Sequence, residues 1–174
     1  MQNILVVIDM QNDFIDGALG TPEAAAIVPG VRKKIEEFEG SVVYTQDTHD
    51  TDYRNTREGK QLPVEHCIRN TKGWEIRDEI WMEKSAAKIE KGTFASVELG
   101  EWLRDEDKKE TIGTVTMVGL CTDICVISNA FLIRAFLPET EIVVDAACCA
   151  GVTEETHYIA LQAMKNCQIT IINE

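Results

Sequence analysis

The stretch that decides the fold is Thr114 to Val126, TVTMVGLCTDICV. Its first half is apolar and β-prone up to Gly119, and from Thr122 onward apolar residues recur at a helical spacing. The pattern predicts a buried strand that ends at Gly119, a tight turn, and a helix that begins near Thr122 or Asp123. Cys125 then lies in the first helical turn, where free N–H groups and the helix dipole favour a thiolate. This position is typical of a nucleophile, although most free cysteines are simply small buried hydrophobic residues.

Length and composition exclude several classes of function. A chain of 174 residues fits one domain, residues 1–174, with a single core. The formal net charge of −13 argues against nucleic acid and anionic membrane surfaces as partners. No apolar run is long enough to span a bilayer, and the first residues lack the basic region of a signal peptide, so we expect a cytoplasmic protein. Its six cysteines are expected to be free thiols rather than a disulfide framework.

Strand and helix patterns alternate along the rest of the chain. Apolar, β-prone runs predict strands at residues 4–8, 41–45, 86–90, 115–119, 142–144 and 169–172. Helical spacing predicts helices or helical turns at residues 31–38, 75–80, 97–103, 125–137 and 153–164, with 104–110 as a solvated helix end and loop. This alternation is typical of an α/β fold with a mostly parallel sheet and right-handed crossovers. Helix 125–137 is apolar nearly all round, which predicts cover by neighbouring elements or by another subunit of a homo-oligomer.

Polar side chains directly follow two of the predicted strands. Strand 4–8 is followed by Asp9, and strand 86–90 is followed by Lys91. The carboxyl ends of strands in an open α/β sheet form the crevice in which ligands bind, so Asp9, Lys91 and Cys125 are candidates for one site. The alternatives are common ones, namely an aspartate that caps a turn and a lysine that lies in solvent.

Segment 46–73 has little periodicity of its own and carries a group of metal-ligand residue types. Long segments of this kind are usually functional or disordered. The segment contains Asp47 and His49 in an Asp-x-His arrangement, followed by Glu58 and His66. Two histidines with one or two carboxylates suit Zn²⁺, Fe²⁺ or Mn²⁺ with an open coordination position. The alternative is that these polar residues serve turn chemistry alone.

Taken together, the motifs resemble those of the isochorismatase-like cysteine hydrolases. The resemblance is carried by residues 8–14, IDMQNDF, and 119–126, GLCTDICV, and it extends from the first predicted strand to the last. Within that family, Asp47-x-His49 and residues 63–67, PVEHC, are most similar to the nicotinamidases. The resemblance implies a six-stranded, mostly parallel sheet flanked by helices in a Rossmann-like arrangement.

The resemblance also implies a role for each residue at the predicted sheet edge. Asp9 is then the general base and later the general acid, Cys125 is the nucleophile, and Lys91 is the cation that keeps Asp9 ionised. The same cation stabilises the thiolate. The backbone N–H groups of Cys121 and Cys125 form the implied oxyanion hole. A non-proline cis peptide bond is implied at Leu120–Cys121.

A metal site is implied in the loop segment. Asp47, His49 and His66 would bind one divalent ion, zinc in the first place and iron or manganese otherwise. Glu58 is implied as the fourth ligand, because some relatives have a third histidine in this loop and this chain has none.

The resemblance further implies the substrate. Phe14 would form an aromatic wall, and Leu62 stands where nicotinamidases usually have a tryptophan against the pyridine ring. The implied reaction releases ammonia from a small carboxamide, nicotinamide to nicotinate above all, through a thioester at Cys125. The expected partner is therefore a small-molecule amide.

Other functions are left open by the sequence. A metal-independent member of the family would act on a carbamoyl or ureido compound and would not need the loop histidines. Isochorismatase itself is less consistent with this chain, because its members tend to lack the cysteine. A non-enzymatic thiol sensor would use Cys121 and Cys125. A Cys–His hydrolase would need His157, which no sequence pattern directs toward Cys125.

Overall fold

A parallel β-sheet forms the centre of the molecule. The computed structural model describes residues 1–82 and 87–174. Its strands are β1 (Gln2–Ile8), β2 (Ser41–Asp47), β3 (Ala87–Lys91), β4 (Ile112–Leu120), β5 (Glu141–Ala150) and β6 (Thr170–Ile172). Neighbouring strands pair in parallel in the order β3-β2-β1-β4-β5-β6. The predicted class, a six-stranded parallel sheet flanked by helices, is confirmed for these residues.

The strand order reverses direction between β1 and β4. From β1 the chain builds outward through β2 and β3 on one side, and it then crosses back to β4, β5 and β6 on the other. Such a reversal opens a crevice beyond the carboxyl ends of the two central strands, which is where open α/β sheets bind ligands. The residues that follow β1 and β4 are therefore placed at this crevice.

Helices cover both faces of the sheet. They are α1 (Asn12–Ile15), α2 (Pro22–Glu37), α3 (Arg57–Gln61), α4 (Val97–Lys109), α5 (Ile127–Phe136) and α6 (Glu154–Asn166). Apolar residues of α4, α5 and α6 pack with one set of strand side chains, and those of α1 and α2 pack with the other set. Helices on both faces are the expected arrangement for a parallel sheet, whose crossover connections place them there.

The central strand shows why the apolar run near the N-terminus becomes a buried strand. Residues 4–8 are fully buried, with Ile4, Val6 and Ile8 in the core cluster on one face and Leu5 and Val7 in the cluster on the other. A strand covered on both faces needs apolar residues at consecutive positions rather than at alternate ones.

Two helices are longer than the sequence predicted. Helix α2 begins at Pro22 instead of residue 31, because Thr21 caps it through the N–H of Ala24 and a proline suits the first helical position. Pro29 therefore lies inside the helix and does not start it. Helix α4 runs through Lys109, so the charged segment predicted as a helix end and loop is helical almost throughout. Ion pairs between residues three apart, Lys108 with Asp105 among them, support this exposed part of the helix.

The strands differ from the prediction mainly in length. Strand β5 continues past Asp145 to Ala150, with a register shift against β4 between Met117 and Gly119. The first residue of the predicted strand 86–90, Ala86, lies outside the described residues, and β3 is described from Ala87.

The remaining differences concern local structure. The helical turn predicted at 75–80 is not part of a helix: Ile76 forms an isolated bridge with Gln11, and a single turn follows in which the carbonyl oxygen of Arg77 accepts the N–H groups of Ile80 and Trp81. Among the residues that the structure describes, no helix has the length and apolar character needed to cross a membrane.

Candidate active site

Three elements bring a carboxylate, an ammonium group and a thiol together at the carboxyl edge of the sheet. Asp9 follows β1, Lys91 ends β3, and Cys125 lies in the turn after β4. Lys91 Nζ lies 2.6 Å from Asp9 Oδ2 and donates to Cys125 Sγ at 3.4 Å. The three residues are at most 6% exposed. The structure thus brings together the three residues predicted as the catalytic set.

Asp9 is oriented by a residue that the sequence analysis missed. Thr45 Oγ1 donates to Asp9 Oδ1 at 2.6 Å and accepts the backbone N–H of Asp9 at 3.2 Å. Asp9 itself has a φ of 45°, a left-handed conformation that aspartate tolerates better than most residues. The hydroxyl of Thr45 thus fixes one carboxylate oxygen of Asp9, and the other oxygen faces Lys91.

Burial and charge set the protonation preferences of this group. Burial raises the pKa of Asp9 and outweighs the opposing effect of Lys91. Burial alone lowers the pKa of Lys91, but the charges of Asp9, Cys125 and Asp47 together raise that pKa well above its usual value. Lys91 is therefore a stable cation, and Asp9 is a stronger base than an exposed carboxylate.

The electrostatic expectation for Cys125 was wrong. Its position near a helix start predicted a thiolate, but burial, and then the nearby carboxylate of Asp9, raise the pKa of Cys125 well above its usual value. Lys91 lowers this pKa but does not outweigh the other two effects. Because removal from water disfavours the charged form, the resting group is the thiol, and a nucleophile would form only when a base accepts its proton.

The turn that carries Cys125 is not a regular helix start. A cis peptide bond joins Leu120 to Cys121, as the family resemblance implied, and a π-helical turn spans Thr122–Val126 before α5 begins. The carbonyl of Cys121 accepts the backbone N–H of Val126 at 3.0 Å. Single π-helical turns occur frequently at functional sites, and this one replaces the α-helical turn predicted from Thr122.

Gly119 permits this turn to approach the central strand. Its φ is +120°, and a Cβ atom at this position would lie 2.1 Å from the carbonyl oxygen of Ile8. A side chain is therefore excluded both by backbone conformation and by the packing of β4 against β1. The end of β4 can lie directly beside Asp9 only because residue 119 is glycine.

A second group of polar residues lies beside this set. Asp47 ends β2, and His49 and His66 come from the segment that follows. One ligand atom from each of the three lies within 4.8 Å of the others. Asp47 Oδ2 is 2.9 Å from His49 Nε2 and 3.7 Å from His66 Nε2. The structure therefore brings together three of the four residues predicted as metal ligands.

The chemistry of these three residues fits a divalent metal ion. His49 Nε2 is buried, and although Asp47 Oδ2 lies 2.9 Å away, the described part of the chain offers this nitrogen no hydrogen bond of good geometry. His66 Nδ1 lies 2.8 Å from the carbonyl oxygen of Val64, a contact that leaves Nε2 as the nitrogen with a free lone pair. A metal ion bound between these two buried nitrogen atoms and the carboxylate of Asp47 would give each of them a partner.

Glu58 lies next to this group but not within its tightest part. Its Oε1 is 3.7 Å from His49 Nε2 and 3.6 Å from His66 Nε2. Helix α3 supplies Glu58, and Thr56 caps that helix by accepting the N–H of Gly59. The carboxylate is thus close enough to approach an ion held by the other three residues.

The backbone of Asp47 is clamped by Gln11, a second residue whose function the sequence analysis missed. Gln11 Oε1 accepts the N–H of Asp47 at 2.7 Å, and Gln11 Nε2 donates to the carbonyl oxygen of Asp47 at 2.8 Å. The same Nε2 donates to the carbonyl oxygen of Trp74. Its place two positions after Asp9, within the motif of residues 8–14, IDMQNDF, was the signal that could have indicated it.

A small cavity joins the two groups. It encloses about 50 Å³ and has Cys125, Cys121, His66, Asp47 and Glu58 on its polar side. Its apolar walls are Phe14, Leu19, Leu62, Phe94 and Ile124. Phe14 and Leu62, predicted to bind substrate, therefore both border the space next to Cys125, whereas the other three walls were missed.

Two of the apolar walls of this cavity are exposed to solvent. Leu62 and Phe94 are 38% and 44% exposed, which makes them the walls that can move most freely. A larger cavity of about 710 Å³ lies between α2 and β5 beside Asp145. We regard the smaller cavity as the site, because the polar groups converge there.

Two of the alternative functions left open by the sequence involve His157 and Cys121. His157 contacts the turn that carries Cys125 through Thr122, with 2.7 Å between His157 Nδ1 and Thr122 Oγ1. All six cysteines are free. Burial raises the pKa of Cys121 to about 12, so this thiol, like that of Cys125, is protonated near neutral pH.

The fold and the site define the molecule as an enzyme of the α/β class, with a small buried site at the switch point of a parallel sheet. Residues 3–174 match the family model described as the isochorismatase domain. The chain belongs to that family.

Three relatives illustrate this membership. The nicotinamidase/pyrazinamidase of Mycobacterium tuberculosis is 26% identical over 97% of each chain. The pyrazinamidase of Pyrococcus horikoshii, solved in complex with zinc, is 28% identical over the whole of both chains, with a TM-score of 0.86. The N-carbamoylsarcosine amidase of Thermoplasma acidophilum is 30% identical, with coverage of 98% of this chain and 95% of that one and a TM-score of 0.76. All three are named as amidases, which confirms the predicted class of amide hydrolase.

Proposed function

We propose that this protein is a cysteine-dependent amidohydrolase that releases ammonia from a small carboxamide, with nicotinamide as the substrate and nicotinate as the product. The observation that carries the proposal is the position of Lys91 Nζ. It lies within 3.4 Å of Asp9 Oδ2, Cys125 Sγ and Asp47 Oδ1 and so joins a base, a nucleophile and a metal ligand in one buried group. Nicotinamidases and pyrazinamidases among the relatives support the choice of a pyridine-type carboxamide.

The chemistry assigned to the triad begins with a proton transfer. Asp9 accepts the proton of the Cys125 thiol, and the thiolate sulfur attacks the carboxamide carbon. The backbone N–H groups of Cys121 and Cys125 stabilise the oxyanion that develops on the carbonyl oxygen. Asp9 then gives its proton to the leaving nitrogen, so that ammonia departs and a thioester to Cys125 is left.

Water completes the reaction. Asp9, again ionised, takes a proton from a water molecule whose oxygen attacks the thioester carbon. The carbon–sulfur bond breaks, the proton returns to the sulfur of Cys125, and the carboxylic acid product is released. Lys91 stabilises the negative charge that moves between Asp9 and Cys125 during both steps, which is the function of a cation held against both atoms.

Asp47, His49 and His66 are proposed to hold one zinc ion, with Glu58 as the further ligand. The mixed nitrogen and carboxylate donor set suits zinc, and iron and manganese are the alternatives. When bound, such an ion supplies a Lewis acid beside the cavity, suited to the ring nitrogen of the substrate or to a water molecule. Phe14 and Leu62 are proposed to pack against the two faces of the substrate ring.

A second candidate substrate class is favoured by one comparison. The amidase of Thermoplasma acidophilum, which is named for N-carbamoylsarcosine, shares 30% identity with this chain. A carbamoyl substrate would use the same triad but would not need the group of Asp47, His49 and His66. The convergence of these three buried side chains favours the ring carboxamide instead.

The test is ammonia release from a panel of amides. Nicotinamide, pyrazinamide, N-carbamoylsarcosine and benzamide are each incubated with the purified protein, with the Cys125→Ala variant as the blank. We expect release from nicotinamide and pyrazinamide, and much less from benzamide, which has the ring but lacks the ring nitrogen. Release from N-carbamoylsarcosine alone would replace the proposal with the second candidate.

A further inference from the structure

Asn129 is a fully buried polar residue that the proposed reaction does not use directly. It lies on α5, one turn after Cys125, and its exposed fraction is 0%. In the sequence it is one of the few polar interruptions of an otherwise apolar helix. Its side-chain amide makes three hydrogen bonds, all of them to backbone groups of residues at or beside the site.

The first bond fixes the nucleophile. Asn129 Nδ2 donates to the carbonyl oxygen of Cys125 at 2.8 Å. On the preceding side, the carbonyl oxygen of Cys121 accepts the N–H groups of Ile124 and Val126. The backbone of Cys125 is therefore held on both sides, at a place where a π-helical turn departs from the regular ladder of helix hydrogen bonds.

The other two bonds fix the loop that carries an apolar wall of the cavity. Asn129 Nδ2 also donates to the carbonyl oxygen of Phe94 at 3.0 Å, and Asn129 Oδ1 accepts the N–H of Ser96 at 2.9 Å. Phe94 borders the same cavity as Cys125. Lys91 Nζ donates to the carbonyl oxygen of Thr93, so this short loop is held by the triad lysine as well.

We propose that Asn129 is a positioning residue that sets the distance between the Cys125 sulfur and the wall formed by Phe94. It thereby fits the cavity to a flat ring whose carboxamide reaches the nucleophile. The assignment to a ring substrate rests on the function proposed above, whereas the link between Cys125 and Phe94 rests on the three hydrogen bonds alone.

The chemistry of the amide makes the arrangement specific. The two hydrogens of Nδ2 are donated to the carbonyl oxygens of Cys125 and Phe94, and Oδ1 accepts the N–H of Ser96. An aspartate has the same shape but no hydrogen to donate, so it would face two carbonyl oxygens without a bond. A serine on a helix bonds the carbonyl oxygen four residues back, so it can keep the bond to Cys125 while losing the two bonds to the loop.

The variants for the test are therefore Asn129→Asp and Asn129→Ser. Arg134→Met is the matched control, because Arg134 also lies on α5 and donates to backbone carbonyl oxygens, those of Pro138, Thr140 and Gln168. These contacts lie at the other end of the helix from Cys125. Circular dichroism and thermal unfolding report on the fold of each variant.

The first measurement is alkylation of Cys125 by iodoacetamide and by N-phenyliodoacetamide. The quantity compared is the ratio of the two alkylation rates, aromatic reagent over aliphatic reagent. We expect Asn129→Ser to react with iodoacetamide at the wild-type rate but to lose the wild-type ratio. Asn129→Asp should lose the same ratio and also change its rate with iodoacetamide. A general loss of stability would move both rates together, as in the Arg134→Met control.

The second measurement is steady-state hydrolysis of nicotinamide. We expect kcat/KM to fall about 10- to 100-fold in Asn129→Asp, as a misplacement of roughly 1 Å would cause. In Asn129→Ser, kcat/KM should fall mainly because KM rises, since Cys125 stays fixed while the wall formed by Phe94 does not. If the wild type does not hydrolyse nicotinamide, the proposed function fails, and the alkylation ratios still decide the role of Asn129. Ratios in both variants equal to that of the Arg134→Met control would overturn the inference.

Discussion

The ammonium group of Lys91 lies 3.1 Å from Asp47 Oδ1, while Asp47 Oδ2 lies 2.9 Å from His49 Nε2. One carboxylate thus faces the lysine of the proposed triad with one oxygen and the proposed metal ligands with the other. Because both groups share Asp47, a change on either side alters the charge that the other side meets.

Replacement of Cys125 by alanine should abolish turnover and leave the fold intact. The change removes the proposed nucleophile, whereas the loss of one buried sulfur costs about 1 kcal/mol, a usual value for a point substitution. Cys148→Ala is the control, because Cys148 is equally buried but lies on β5, away from the cavity. Ammonia release and urea unfolding are measured for both variants. Residual turnover in Cys125→Ala at the wild-type rate would remove the thioester from the proposal.

Replacement of Lys91 by methionine should slow alkylation of Cys125 at every pH below the thiol pKa. Lys91 is the group that lowers the pKa of Cys125, so without it that pKa rises further and less thiolate is present at a given pH. The measurement is the pH profile of iodoacetamide labelling, which should move to higher pH. An unchanged profile would mean that Lys91 does not act on the thiol.

The same substitution should lower the free energy of unfolding by about 3 to 5 kcal/mol, because it leaves the buried carboxylates of Asp9 and Asp47 without their cation. Lys34→Met is the control for stability. Lys34 forms an ion pair of 2.6 Å with the buried Asp145, away from the cavity. It should also lose stability, but with no change in the labelling profile of Cys125.

The features of the fold that sequence patterns predicted are those encoded by neighbouring residues. The apolar run 4–8 and the apolar residues before Gly119 predicted the two central strands, because a strand buried on both faces has no polar positions. The start of α2 was missed because Pro29 and Gly30 look like a helix boundary, whereas the cap at Thr21 and Pro22 is the actual one. Both positions have residues typical of a helix start, so the local sequence did not distinguish them. In the folded chain the helix begins at Pro22.

The parts of the site that escaped prediction depend on contacts between distant residues. Thr45 is 36 positions from Asp9, Gln11 is 36 positions from Asp47, and Asn129 is 35 positions from Phe94. No periodic pattern links residues that far apart. The protonation of Cys125 was missed for the same reason, because burial is a property of the folded chain, whereas the helix start is visible locally.

Replacement of His49 or of His66 by alanine should remove the bound metal. Each change deletes one of three converging ligands and leaves the other two poorly oriented. The wild-type protein should purify with about one equivalent of a divalent transition metal, as a single closed group of this kind predicts. Elemental analysis of the purified variants gives the ratio directly.

Elemental analysis of two further variants tests which residues hold the metal. His157→Ala is the control, because His157 contacts Thr122 and lies outside the group of three. Glu58→Ala should weaken metal binding without removing it, since its oxygen lies at the edge of the group. A wild-type protein that shows full amidase activity after rigorous removal of metal would favour the metal-independent branch of the family.

Replacement of Gln11 by methionine should weaken metal binding about 10- to 100-fold, the usual effect of losing a residue that orients a ligand. Gln11 holds both the N–H and the carbonyl oxygen of Asp47 and does not itself reach the histidines, so it acts through the position of that carboxylate. Gln46→Met is the matched control, because Gln46 also donates from a buried amide to the carbonyl oxygen of Trp74 but does not bond Asp47. Competition titration with a chromophoric chelator measures the affinity of each protein for zinc. Equal losses in both variants would assign the effect to the Trp74 segment, whereas a loss confined to Gln11→Met would show that the clamp on Asp47 prepares the site for its ion.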